Sequence, residues 1–564
     1  MPQWTEDQKK VIGSEKKRII CSAAAGSGKT AVMIERIVRL IREGADPFSF
    51  LVITFTNAAA AEMKEKIRRR LMEERKDRVL AEAAEKAGAM EICTIHAFCQ
   101  HLIRQEFQAA GTDPLFRICT GAEREQLFRA AFQKACGELR SQEDEAFLSF
   151  TEKYEPEAAR NIVTQVYQFI MSLPDPFAWL REKTENIPLN YERDHPWFQT
   201  VADLLGEKLL SLRVILRQQA EMFEAYERQE AYRESWMADQ KKVEAMGHWI
   251  AGEDVTREEL AEGFVRLPAL KKLNDLEIDW KDRYQKLRKQ LKEEYDDMLR
   301  FVLMDQNQLS TEFSEIRRSL RGLEKLLETT HRHFERQKAG KVVLDFSDLE
   351  HKALEILRDQ AVRSSVQERY RRIFVDECQD VSAVQDALIE SLAGKENTLF
   401  MVGDVKQSIY RFRLANPGYF LRRTEEADSE ENACYRLREN FRSRPEILET
   451  VNTVFRDTMK RETAEVDYTP ADELRPGRSD IEGNEPAEID LLEIGEDRTR
   501  LEAVADHVAE RIAEMVREKK YDYRDMMILM PEVSADGAKL TALLRERNIP
   551  VFFDESLTNG CRVR

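Results

Sequence analysis

The chain has 564 residues, 42% of them hydrophobic and 34% charged, with a formal net charge of −17. That length exceeds what one hydrophobic core normally holds, so two or three structural units are expected, and the charged fraction fits a solvated surface. No window of about 18 uncharged apolar residues is present to span a bilayer, and the acidic balance argues only weakly against nucleic acid, because a groove needs local basic density alone.

The opening stretch, MPQWTEDQKK, lacks the basic-then-apolar layout of a signal peptide. Residues 17–104 then read as alternating strands and helices. RIICSAA and LVITFT are short apolar runs rich in β-branched residues. TAVMIERIVRLIREG (30–44) has helical spacing and stops at Gly44, and EICTIHAF (91–98) is a third strand candidate. From about 105 to 340 Glu, Lys, Arg, Leu and Gln dominate, as in DWKDRYQKLRKQLKEEYDDMLRFVL (279–303), and glycine becomes scarce between 141 and 320. That composition predicts a helical subdomain with solvated charged faces. Strand candidates return at RRIFVDE (371–377), TLFMVGD (398–404) and ACYRLREN (433–440). The Gly/Pro/charge-rich stretch 469–487 predicts a surface loop. Beyond it come EIDLLEIG, a helix at about 499–518, DMMILM, a helix at about 537–547, and PVFFD, the pattern of a second α/β unit. Cys21, Cys93, Cys99, Cys119, Cys136, Cys378, Cys434 and Cys561 form no C-x-x-C pair, so neither zinc nor a disulfide framework is expected, and a reducing cytoplasm is the expected setting.

The chemistry begins at CSAAAGSGKT (21–30). It fits the phosphate-loop pattern with Ala23 in the first glycine position, then Ala24, Ala25, Gly26 and Ser27, then Gly28, Lys29 and Thr30. Small residues let backbone N–H groups wrap phosphates, Lys29 reaches the terminal phosphates, and the Thr30 hydroxyl can ligate Mg²⁺. IFVDECQD supplies the second carboxylate such a site needs: Asp376 suits the metal shell, and Glu377 can orient or deprotonate a water for in-line attack. An Asp-Glu pair suits ATP hydrolysis better than transfer to an acceptor. In GDVKQSIYRFR (403–413), Gln407 can report the γ-phosphate, while Tyr410, Phe412 and Arg413 can stack on bases and touch phosphates. LRENFRSRP (437–445) offers Arg442 as an arginine finger supplied in cis.

Together, WTEDQ, AAAGSGKT, TFTNAAAAEMKEKI, TIHAFC, VDECQD, VGDVKQSIYRFR and ENFRS resemble, in order, the motifs of superfamily-one helicases of the UvrD/Rep type. Within that group DPLFRI, LDFSDLEHKAL and LFMVGDVKQSIYRFRLANP most resemble the AddA family of helicase–nuclease subunits, over about residues 3 to 557. The resemblance implies an α/β fold: a RecA-like parallel-sheet motor domain 1A (1–105 and 341–420), a large helical subdomain 1B (106–340) and an incomplete second RecA-like domain 2A (421–564). It implies that Gln8 recognises the adenine of ATP with Phe441 nearby, and that Lys29, Thr30, Asp376, Glu377, Gln407 and Arg442 form a Mg²⁺-dependent hydrolytic site. It places Phe55, Thr56, Asn57, His96, Phe98, Tyr410, Phe412 and Arg413 along or beside a single-stranded DNA track, although His96 taken alone reads as a structural or hydrogen-bonding histidine. The implied activity is 3′-to-5′ movement on DNA in double-strand break repair and homologous recombination, and the implied partner is AddB-like. Family members continue past this chain into a 2B insertion, a later motor motif and a nuclease domain. The expectation is therefore a shortened product, in one version out of frame at TNGCRVR, that binds nucleotide better than it hydrolyses it and does not unwind DNA alone. A chain that holds ATP and single-stranded DNA without turnover, and a RecB- or UvrD-like helicase with another partner, stay open as alternatives.

Overall fold

Two of the apolar runs, FLVIT and RIFV, are almost wholly buried, as parallel strands covered on both faces must be. The computed structural model describes residues 4–74, 78–189, 195–224, 230–268, 275–427, 429, 431–464, 466–478, 487–494, 499–530 and 535–552. Among the described residues the strands are β1 (Arg18–Ala23), β2 (Phe50–Thr54), β3 (Glu91–Thr94), β4 (Arg117–Ile118) and β5 (Val343–Leu344), followed by β6 (Arg372–Val375), β7 (Thr398–Gly403), β8 (Asn432–Leu437), β9 (Glu439–Asn440) and β10 (Arg475–Pro476). The principal sheet has six strands in the order β3-β2-β6-β7-β1-β8, and every pairing in it is parallel.

Successive strand side chains point to opposite faces, so this sheet carries two cores. Ile20, Leu51, Ile53, Ile373, Val375, Leu399 and Met401 pack on one face with the helices Phe346–Ile356 and Ala383–Leu392 and with a helix after β3. Ile19, Cys21, Phe50, Val52, Phe374, Phe400 and Val402 pack on the other. That second face is covered by α1 (Glu6–Gly13), α2 (Lys29–Arg42), α3 (Asn57–Glu73) and α4 (Arg78–Lys86). The strand expected over 91–98 stops at Thr94. Its hydroxyl accepts a hydrogen bond from the Ala97 amide and caps α5 (Ile95–Gln105), so His96 and Phe98 are helical.

The chain divides into two compact units: Met1–Thr120 with Met171–Pro174 and Ala339–Arg564, and Gly121–Ile170 with Asp175–Lys338. The second consists of helices among the described residues, the longest being Pro196–Glu224, Glu230–Ala251, Asp275–Val302 and the bulk of Gln306–Lys341. Leu209, Leu212, Met246, Leu291 and Tyr295 build one of its cores. Within it Arg288 meets Asp239 in a fully buried, two-pronged ion pair, Nη2 to Oδ1 at 2.8 Å. Breaking either half of such a pair strands the other charge without solvent.

Beyond residue 420 the structure departs from expectation. β8 pairs with β1, so Asn432–Leu437 extends the first sheet, and a second motor domain does not begin at 421. The stretch expected as a loop contains β10, which pairs in parallel with β9. The strands expected in EIDLLEIG, DMMILM and PVFFD are not formed among their described residues, and Leu491 and Leu529 stand 95% and 84% exposed. Apolar alternation states what would suit a strand, but a strand also needs a ladder partner. The helices Arg500–Arg517 and Ala535–Glu546 do form, packed through Ala505, Ala509, Leu540 and Leu544. TNGCRVR lies outside the described residues. No helix among the described residues is long and apolar enough to cross a membrane.

Candidate functional site

β1 ends at Ala23, and the chain turns through Ala24, Ala25, Gly26, Ser27 and Gly28 before α2 starts at Lys29 and Thr30. Gly26 and Gly28 take φ of +70° and +82°, a left-handed backbone that side chains disfavour. Gly28 is the N-cap of α2 and brings no side chain to its first-turn amides, which leaves them for an anion. The loop is held through its carbonyls. Gln8, buried on α1, donates Nε2 to the Ser27 carbonyl at 3.0 Å and accepts the Thr5 amide on Oε1. From the other side, buried Asn440 donates Nδ2 to the Ala25 carbonyl at 2.7 Å, and the Phe441 amide donates to the Gly26 carbonyl at 2.9 Å. Asn440 Oδ1 also accepts the Arg442 and Ser443 amides, at 2.8 and 2.7 Å. A Cβ on Gly26 would fall 2.7 Å from Asn440 Nδ2 and 2.8 Å from Arg442 Cβ. The Arg442 side chain is exposed and makes no ion pair among the described residues.

β6 delivers the acidic pair. The Asp376 amide donates to the Ile53 carbonyl on β2, and the Glu377 amide donates to Asp376 Oδ1 at 3.0 Å. Glu377 holds φ at +50°, a strained conformation for a side chain of its size. Lys29 Nζ sits 3.0 Å from Glu377 Oε2, which joins the loop to the acidic strand end. Gln379 Nε2 then bridges Glu377 Oε2 and Asp380 Oδ2, both at 3.0 Å, and its Oε1 accepts the Asp404 amide. Asp404 Oδ2 accepts Gln407 Nε2 at 2.7 Å. Gln407 is therefore wired to Glu377 through Gln379 and Asp404, two buried residues not singled out from the sequence. The available signal was their place: Asp404 is polar and directly follows the buried strand β7, and Gln379 is polar and lies four residues beyond the end of β6.

Burial, reinforced by the neighbouring Glu377 charge and opposed by Lys29, pushes the Asp376 carboxyl up to about 6 from 3.8. The folded chain thus holds a proton there at pH values where the unfolded chain has released it. Stability from this group falls as pH rises from about 4 to about 6 and stays reduced above that window. Asp376→Asn keeps an oxygen for the Glu377 amide and removes the charge. It should stabilise the nucleotide-free chain by about 1–3 kcal/mol near pH 8, with the difference shrinking towards pH 4; thermal unfolding across pH checks this. The same crowded acidic end suits a cation. No group of three His, Cys, Asp or Glu poised for a metal exists among the described residues. A Mg²⁺ ion held by Thr30, Asp376, nucleotide phosphates and water would need none.

Phe55, Tyr410 and Phe412 form an aromatic row, with ring centroids 4.7 and 5.7 Å apart, and Phe412 is 69% exposed. Thr56 caps α3 by accepting the Ala59 amide, and Asn57 begins that helix exposed. His96 Nε2 lies 3.1 Å from Glu350 Oε1 with its ring 4.9 Å from Phe346, a hydrogen-bonding role. Phe98 is a correction. It is 3% exposed and packs edge-on against Tyr370 in the core, so it cannot stack on a base. The Arg413 backbone belongs to the short turn Arg411–Arg413, and its side chain lies outside the described set.

A parallel sheet with a phosphate loop after one strand and an acidic pair after another defines a P-loop nucleotide-binding protein. The family model of the UvrD/REP helicase N-terminal domain matches residues 4–428, and the chain belongs to that helicase family. It is 30% identical to the A subunit of the ATP-dependent helicase/nuclease of Syntrophomonas wolfei, over 99% of this chain and 51% of that protein. Proteins of the same description from Alkaliphilus oremlandii and Alkaliphilus metalliredigens are 31% and 32% identical, each over 98% of this chain and 49% of their own length. The chain thus spans about half the length of these curated relatives.

Proposed function

We propose that the chain is the ATP-driven motor portion of a helicase–nuclease that moves 3′ to 5′ along single-stranded DNA during double-strand break repair, in the cytoplasm, paired with an AddB-like protein. The observation that carries the motor reading is the hydrogen-bonded line from Lys29 through Glu377, Gln379 and Asp404 to Gln407, three residues before Tyr410 of the aromatic row. Direction, repair role and partner rest on the resemblance and on the relatives' description as one subunit of a helicase/nuclease.

In this reading the loop amides and Lys29 bind the phosphates, and Lys29 exchanges Glu377 for a phosphate oxygen. Glu377, released from the lysine but still held by Gln379, takes a proton from the attacking water. Arg442, anchored to the loop through Asn440, offers positive charge as negative charge develops on the γ-phosphate. Thr30 and Asp376 would hold Mg²⁺, which would supply charge neutralisation at the phosphates. Any movement of Gln407 on the γ-phosphate is carried along the chain to Tyr410 and Phe412, where bases stack.

Steady-state ATP hydrolysis, with and without single-stranded DNA, tests the proposal. The expected result is DNA-stimulated turnover that Lys29→Ala lowers by at least about 10²-fold. Turnover indifferent to DNA, or unchanged in the variant, removes the reading.

A further inference from the structure

We infer that Gly477 is a positioning residue for Phe441, and that through it the 466–478 segment makes the site select nucleoside triphosphates over bare polyphosphate. The inference rests on the nucleotide reading above and adds a specificity element from a stretch whose composition suggests only a surface loop.

The register places the two residues side by side. Arg475 and Pro476 of β10 pair with Glu439 and Asn440 of β9, and the Gly477 amide donates to the Asn440 carbonyl at 2.8 Å. A Cβ on Gly477 would lie 2.6, 2.8 and 2.9 Å from Cε1, Cδ1 and Cζ of Phe441, against the ring itself. No real Cβ contact is that short, so either the segment or the ring must move.

The segment is tied down. Asn452 grips Leu474 at both ends, accepting its amide at 2.9 Å and donating to its carbonyl at 3.0 Å. The Tyr468 hydroxyl donates to the same Asn452 Oδ1 at 2.6 Å, and Arg456 pairs with Glu473 at 2.7 Å. Lys406, already on Asp404 at 2.9 Å, also lies 3.7 Å from Asp472. The Phe441 backbone is equally fixed, by its amide bond to the Gly26 carbonyl. What remains free to turn is the Phe441 side chain. A partly exposed ring on a residue whose own amide is hydrogen-bonded to the phosphate loop is a stacking surface for the base of a nucleotide whose phosphates sit in that loop. Turning it costs the base its partner and leaves the phosphate contacts intact.

Calorimetric titration with Mg²⁺-ATP and with Mg²⁺-tripolyphosphate separates the two effects. Gly477→Ala should weaken ATP about tenfold and tripolyphosphate less than about twofold. Phe441→Ala should do the same. The double variant, which leaves room for the methyl group and so folds even if the single variant does not, should bind ATP no more weakly than Phe441→Ala alone. Equal weakening of both ligands by Gly477→Ala, no weakening at all, or a further loss in the double variant overturns the inference while ATP binding by the unsubstituted chain keeps the nucleotide reading. Absence of ATP binding by the unsubstituted chain overturns both.

Discussion

Glu377→Gln is expected to lower DNA-stimulated ATP turnover by about 10²–10⁴-fold, the range a positioned general base supplies, while ATP still binds. The two halves of that outcome come from one contact. The Lys29 ammonium is engaged with Glu377 at 3.0 Å, and a phosphate must displace that carboxylate to reach it. Glutamine keeps the acceptor oxygen for Gln379 and loses the negative charge, so the lysine is held less tightly and the phosphate meets less repulsion. ATP affinity should therefore be unchanged or tighter, whereas proton removal from water is lost. Turnover and equilibrium binding measured on the same preparation check both halves. Hydrolysis at the unsubstituted rate would remove Glu377 from the proton-transfer role, and weakened ATP binding would mean that the carboxylate organises the loop instead.

Phe98→Ala should cost about 3–5 kcal/mol of stability, the usual cost of emptying a large aromatic site in a core. Its ring is packed against Tyr370 among Ile95, Cys99 and Leu102, and nothing exposed can close the void. Phe412→Ala is the counterpart. With 69% of the residue exposed, the substitution should leave stability within about 0.5 kcal/mol and weaken single-stranded DNA binding by about 1–3 kcal/mol, the loss of one base-stacking ring. Denaturant unfolding and fluorescence anisotropy with an oligonucleotide, run on both variants, distinguish a core ring from a track ring. A Phe98→Ala chain of unchanged stability with weakened DNA binding would restore that residue to the track.

Phe98 also shows where a motif can mislead when its periodicity is set aside. Ile95, Phe98, Cys99 and Leu102 recur at the spacing of one helical face, and that face is the one α5 buries. The signal was in the chain, outweighed by the resemblance of TIHAFC to a DNA-contacting motif. The C-terminal segments err in the other direction. EIDLLEIG and DMMILM have strand composition, yet among their described residues no ladder forms, because hydrogen-bond partners are a property of neighbours and not of the segment.

What the sequence by itself determined is local. The apolar runs specify buried parallel strands, and the small-residue turn specifies a phosphate loop. The strand ends specify where Asp376, Glu377 and Gln407 emerge, and the ordered motifs specify the helicase family. What only the tertiary structure decided is which distant segments meet. β8 joins the first sheet beside β1, Asn440 pins the loop, Gln379 and Asp404 complete the line to Gln407, and Gly477 lies against Phe441. Side-chain alternation tells a strand which faces to bury, but its period is the same for every neighbour. The choice among neighbours hundreds of residues away is made by packing the whole sheet at once.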